Sequence, residues 1–217
     1  MPVEKVVSSK GRCWGLWQIT ESAADLAEKL AHFEHVPETI THERKRIEWI
    51  AGRLLTRHLL EGLGIPYQGI AKNEHGKPNL IGSSHRLSLS HSFPYVAVIV
   101  DQSNEVGIDL EQPKPKLIRI AHRVLSAMEL EDAGDDIAKH CVYWCAKEAM
   151  IKLYGKKDLT LAENLQILPF QLKNEGYIPG RIIVGPDQSM VNLYYRVFDN
   201  FVLSFTLPPD DAHAEPN

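Results

Sequence analysis

Cysteine is scarce. The 217 residues hold three, at positions 13, 141 and 145, too few and too oddly numbered for a disulfide framework. Cys141 and Cys145 are four apart and could meet on a helix beside His140. No CxxC pair and no HExxH stands in the chain, however, so small buried apolar residues are expected rather than a metal site. No run approaches the ~20 apolar residues of a membrane span, and the first residues lack a signal peptide's apolar stretch. The expected setting is a reducing cytoplasm with no membrane partner. Cationic excess is missing too: Lys+Arg 24 against Asp+Glu 28 leaves a formal charge of −4, which provides no global field for nucleic acid. Any polyanion must be held by a local basic site. GxxxxGK[ST], GxGxxG and GxSxG are all absent, which leaves P-loop, Rossmann and nucleophile-elbow chemistry without support.

What is present is ordinary globular material, 44% hydrophobic and 24% charged, enough for a core. A short strand is expected over 13–19, then helices over 21–33 and 38–62, the second stopped by Gly62, Gly64 and Pro66. The turn cluster Asn73-Glu74-His75-Gly76 sits between short extended pieces. Strand patterns follow over 87–90, 95–100 and 106–111, with 101–105 read as a hairpin loop joining the last two. Ser126-Ala-Met-Glu129 fits a capping box, and a long helix over 136–154 should close at Gly155. Strands return over 164–172, 177–184, 191–198 and 201–207, with Asp199-Asn200 as a hairpin tip. The last eight residues are polar and read as a frayed tail. Short connections between strands point to an α+β class with antiparallel sheets, arranged as two pseudo-symmetric subdomains of similar content, 1–105 and 106–217.

Three constellations carry charge where chemistry could use it. In Val106-Gly107-Ile108-Asp109-Leu110-Glu111, strand alternation sends Val106, Ile108 and Leu110 one way and Gly107, Asp109 and Glu111 the other. Two carboxylates on one side suit a hard divalent cation such as Mg²⁺, and the glycine permits close approach of another backbone or a ligand. A solvated strand face explains the same pattern. Trp144, Glu148 and Lys152 fall at i, i+4 and i+8 on one helix face. Glu148 and Lys152 are there either an exposed ion pair worth about 0.3–0.5 kcal/mol or a third carboxylate or general base beside a phosphate-facing lysine. Arg46, Arg53 and Arg57 lie within roughly 40° of one another on the second helix. Their guanidiniums could hold a phosphate or flank a solvated surface balanced by Glu43, Glu48 and Glu61. His91 ends an alternating strand, where a structural role and a ligand role are both open.

Taken in order, Gly76-Lys77-Pro78, SLSHS at 88–92, VGIDLE at 106–111, VLSAME at 124–129 and WCAKEAMIKLYG at 144–155 resemble the 4′-phosphopantetheinyl transferase family. The resemblance covers residues 40–160 and is similar to the larger, monomeric, two-subdomain type. It implies transfer of 4′-phosphopantetheine from coenzyme A to a serine of an apo acyl or peptidyl carrier protein, with release of 3′,5′-ADP. The active site would lie where the subdomains meet. On this sequence it implies Asp109, Glu111 and Glu148 as Mg²⁺ ligands and Glu148 as base. Lys152 would sit on the phosphates, Lys77, Pro78, Ser90 and His91 at the nucleotide end, and Arg46 with Arg53 at the 3′-phosphate. Phe93-Pro94 stands where many members have small residues, and Val124-Leu125 where an aromatic pair is usual. Two other activities could use the same residues: a Mg²⁺-dependent nucleotide hydrolase, and a catalytically silent carrier-protein binder.

Overall fold

A computed structural model describes residues 3–9, 11–156 and 158–209; the polar tail from 210 onward lies outside the described residues. The chain divides into two compact units, Met1–Glu105 and Val106–Asn217. Among the described residues no helix is long and apolar enough to cross a membrane.

The first unit runs β1 (Val3–Ser9), β2 (Arg12–Gln18), α1 (Ala23–Leu30), α2 (Glu43–Gly62), β3 (Ile70–Lys72), β4 (Pro78–Leu80), β5 (Arg86–Ser92) and β6 (Tyr95–Asp101). Its main sheet is antiparallel in the order β1-β2-β6-β5. β6 reads YVAVIVD and is buried along its whole length, as suits a β-branched central strand covered on both faces. Leu54, Leu55, Leu59 and Leu60 of α2 form one apolar cluster with Val96, Val98 and Val100 of β6, and Leu26 and Leu30 of α1 complete it. Ser22 caps α1 in a reciprocal box with Asp25. The first helix is shorter than its periodicity suggested. The second begins five residues later than expected, because the chain turns at Pro37, whose carbonyl accepts from Ile40 N at 3.0 Å.

The hairpin expected across 101–105 does not form. β6 already has β2 on one edge and β5 on the other, so no edge remains for the following strand. Asp101 turns the chain away instead, its Oδ1 accepting from Ser103 N and Asn104 N while Oδ2 pairs with Arg12 Nε at 2.7 Å.

The second unit runs β7 (Ile108–Glu111), α3 (Lys116–Ile120), a 3₁₀ turn (Ala121–Arg123), α4 (Ala127–Ala133), α5 (Ile137–Tyr154), α6 (Leu161–Asn164), β8 (Leu165–Ile167), β9 (Glu175–Val184), β10 (Asp187–Val197) and β11 (Val202–Thr206). Its sheet is antiparallel in the order β7-β11-β10-β9-β8. β8 is shorter than the expected 164–172 because Pro169 has no N–H to extend the ladder. Phe198 N donates to Phe201 O across Asp199-Asn200, making the hairpin tip. The Ser126–Glu129 capping box opens α4, and Gly155 closes α5 in the left-handed region at φ 78°. All three cysteines are free and buried.

α5 packs across β7 and β11. It is buried on most of its circumference before the last turn, with Trp144 and Glu148 half-exposed there. The helix therefore presents one polar stripe from within an otherwise apolar core.

Candidate active site

The site in the second unit starts from a glycine. A Cβ built on Gly107 would stand 1.8 Å from Ala149 O and 2.8 Å from Leu153 N, so the backbone of α5 lies directly against the start of β7. Thr206 of β11 locks the same point from the other side: its Oγ1 accepts from Gly107 N at 3.0 Å and its N donates to Gly107 O at 2.9 Å. Because residues 107, 109 and 111 share a face, the strand side that α5 covers is the side that bears the carboxylates. Ile108 and Leu110, on the other side, are buried as well. The solvated outer face considered from the sequence does not exist.

Asp109 is only 6% exposed. Lys152, in the last turn of α5, donates from Nζ to Asp109 Oδ1 at 2.7 Å and to Ile108 O at 2.9 Å. The alternative of a Glu148–Lys152 surface pair is thus replaced by a contact from helix to strand. Glu111 is half-buried and takes Lys116 Nζ at 3.3 Å. Glu148 receives no hydrogen bond among the described residues. Burial pushes its carboxyl up from the ordinary value, the Asp109 charge pushes the same way, and Lys152 pulls it back only in part. A half-buried carboxylate of raised basicity, beside another carboxylate and a lysine, is suited to accepting a proton from a hydroxyl.

A hard cation fits this donor set. All three carboxylates offer oxygen only, and the repulsion between Asp109 and Glu148 would be relieved by divalent charge. Among the described residues no three His, Cys, Asp or Glu side chains converge as a metal cage. Mg²⁺ does not require one: it usually takes one or two carboxylates and completes its shell with water and substrate phosphate.

Lys147 was not singled out in the sequence, although a lysine among the apolar positions Tyr143, Ala146 and Met150 signals a buried partner. It is fully buried and donates to Glu129 Oε2 at 2.5 Å, Val124 O at 2.8 Å and Leu161 O at 2.9 Å. Burial lowers its pKa, and Glu129 opposes that shift. Glu129 also accepts from Ser126 N and from Ile167 N, so one satisfied pair ties α4, α5 and β8 together.

The remaining predicted residues belong to the first unit. Lys77 follows Gly76, at φ 86°, and pairs with Glu105 at 2.5 Å; Pro78 opens β4. Ser90 is buried in β5. His91 Nδ1 lies 3.2 Å from Glu48 Oε2. Arg46 is exposed on α2. Arg53 sits over the Trp49 ring and ion-pairs with Glu34 at 2.5 Å, while Arg57 covers Phe33 and bonds Glu61. Arg53 and Arg57 are thus each stacked on a ring and paired with a carboxylate.

The 4′-phosphopantetheinyl transferase superfamily model matches residues 105–206. The transferase AcpT of Salmonella typhimurium is 30% identical over 143 residues, covering 59% of this chain and 72% of that protein. This chain belongs to the 4′-phosphopantetheinyl transferase family. Transferase psf-1 of Bacillus pumilus is 38% identical over 117 residues, 49% of either chain. A Bacillus subtilis 4′-phosphopantetheinyl transferase is 28% identical over 184 residues, 79% of this chain and 76% of its own. The family moves phosphopantetheine from coenzyme A to carrier proteins, and this transferase is an enzyme of that class. The matched segment contains Asp109, Glu111, Glu148 and Lys152 and stops short of the first-unit residues.

Proposed function

We propose that this transferase is Mg²⁺-dependent, that Asp109, Glu111 and Glu148 hold the cation, and that the products are a phosphopantetheinylated carrier serine and 3′,5′-ADP. The observation that supports this best is the juxtaposition of Asp109, Glu148 and Lys152 where α5 meets Gly107. When bound, the cation supplies charge neutralisation at the pyrophosphate of coenzyme A. Glu148 takes the proton from the carrier serine hydroxyl. The serine oxygen then bonds to the β-phosphorus, the bridging P–O bond breaks, and its electron pair leaves with 3′,5′-ADP. Lys152, held at Asp109, is placed to contact phosphate oxygens as negative charge builds on them.

At the nucleotide end the candidates are Arg46, Arg53, Lys77, Pro78, Ser90 and His91. The acceptor is an apo acyl or peptidyl carrier protein, and the enzyme acts as a cytoplasmic monomer; its buried free thiols suit a reducing compartment. The test is transfer to an apo carrier by Asp109→Ala. Loss of transfer with an unchanged circular-dichroism spectrum supports the assignment. Full activity sinks it.

A further inference from the structure

Glu48 is a carboxylate on the inner side of a helix, 7% exposed, at a position where α2 otherwise contributes Ile50, Ala51, Leu54 and Leu55 to the core. A charge there is costly unless its oxygens are satisfied. Both are. Oε1 accepts from Phe93 N at 3.1 Å and lies 3.6 Å from Arg44 Nε; Oε2 faces His91 Nδ1 at 3.2 Å. Arg44 also donates to Phe93 O at 3.4 Å and stands 5.0 Å from its ring. Burial pushes the Glu48 carboxyl up, but His91, the Phe93 amide and Arg44 together hold it below the ordinary value. Glu48 is therefore an anion, and it fixes the segment 91–93 at the end of β5.

The consequence falls on His91. A carboxylate at Nδ1 selects a ring that carries a proton on that nitrogen, so an imidazole that also donates from Nε2 to an anion holds both protons. The His91 side chain is 45% exposed, and Nε2 has no partner among the described residues. Val96, opposite His91 on β6, carries no competing charge. The ring thus has an inner edge fixed by Glu48 and an outer nitrogen exposed to a ligand.

We propose that Glu48 is a positioning residue of this transferase, accepting from His91 Nδ1 and so orienting the ring for Nε2–H to donate to a phosphate oxygen of coenzyme A. The inference rests on the reading that His91 serves the nucleotide end. Glu48→Gln keeps the side chain's shape and its acceptor for Phe93 N, removes the charge, and turns the acceptor facing His91 Nδ1 into an amide donor.

By calorimetry the variant should bind coenzyme A about tenfold more weakly. KM should rise similarly with kcat within about twofold, and thermal stability should stay close to wild type. Glu48→Ala, which strands the Phe93 amide, should lose stability as well. In a His91→Ala background Glu48→Gln should have no further effect on affinity. Nitrogen-15 NMR of the free protein should show the His91 Nδ1 proton in wild type and a redistributed tautomer in Glu48→Gln.

Unchanged affinity in Glu48→Gln overturns the proposal, as does an equal loss in the His91→Ala background. An unchanged tautomer, with His91→Ala still weakening coenzyme A, overturns the role of Glu48 alone. His91→Ala binding coenzyme A normally overturns the underlying reading of His91, and the proposal with it.

Discussion

Replacing Gly107 by alanine is the most local way to disturb the second unit's site, because it changes no charged group. The added Cβ would lie 1.8 Å from Ala149 O and 2.8 Å from Leu153 N. Ordinary contact needs about 3.5 Å, so strand and helix must part by roughly 1.5 Å. No rotamer change relieves the clash, since both obstacles are backbone in the body of α5. Overpacking of this kind costs about 1–3 kcal/mol, and the upper half applies where side chains cannot yield. For a chain of this size that lowers the melting temperature by roughly 5–10 °C. The same displacement stretches Lys152 Nζ–Asp109 Oδ1, now 2.7 Å, beyond hydrogen-bond range. A misplacement of about 1 Å at reacting groups costs on the order of 10²-fold in rate. The assay pairs thermal unfolding with the initial rate of carrier-protein modification. Wild-type stability and rate in Gly107→Ala would refute the close approach. Lowered stability with a full rate would refute its link to the site.

Lys147→Met leaves the Glu129 carboxylate buried without its cation, and urea unfolding should show a loss of about 3–5 kcal/mol; a loss under 1 kcal/mol would contradict the pair's role. Glu148→Gln should abolish most transfer yet stabilise the metal-free protein near neutral pH, by about 0.5–2 kcal/mol. The sign follows from a folded-state pKa raised above the ordinary 4.5: the carboxyl's favourable contribution is complete below that value and is lost as pH rises through the raised one. The advantage of glutamine should therefore fade toward acid pH, and equal melting curves for the two proteins at pH 7 would contradict it.

Legibility in the sequence followed range. The glycine and alternating carboxylates of GIDLE, the Ser126–Glu129 box, the helix ending at Gly155 and the turn at Asp199-Asn200 are local patterns, and the fold uses them as they read. Strand pairing is not local. β7 follows β6 in the chain, yet it hydrogen-bonds to β11, nearly a hundred residues away, and nothing in 101–111 announces that choice. Ion-pair partners are equally non-local. Lys152 has Glu148 at helical spacing and takes Asp109 instead, because α5 lies on the strand's carboxylate face. Glu48, Glu34 and Glu129 look like surface charges until packing brings them His91, Arg53 and Lys147. A charged residue set into an apolar helix face was the available signal in two of these, at Glu48 and Lys147.

The most direct test of the carboxylate site is intact-protein mass spectrometry of an apo acyl carrier protein incubated with this transferase, coenzyme A and Mg²⁺, with and without chelator. Gain of one phosphopantetheine, abolished by chelation and by Asp109→Ala, is the result expected. Modification that persists at full rate under chelation would contradict the divalent-cation role assigned to Asp109, Glu111 and Glu148.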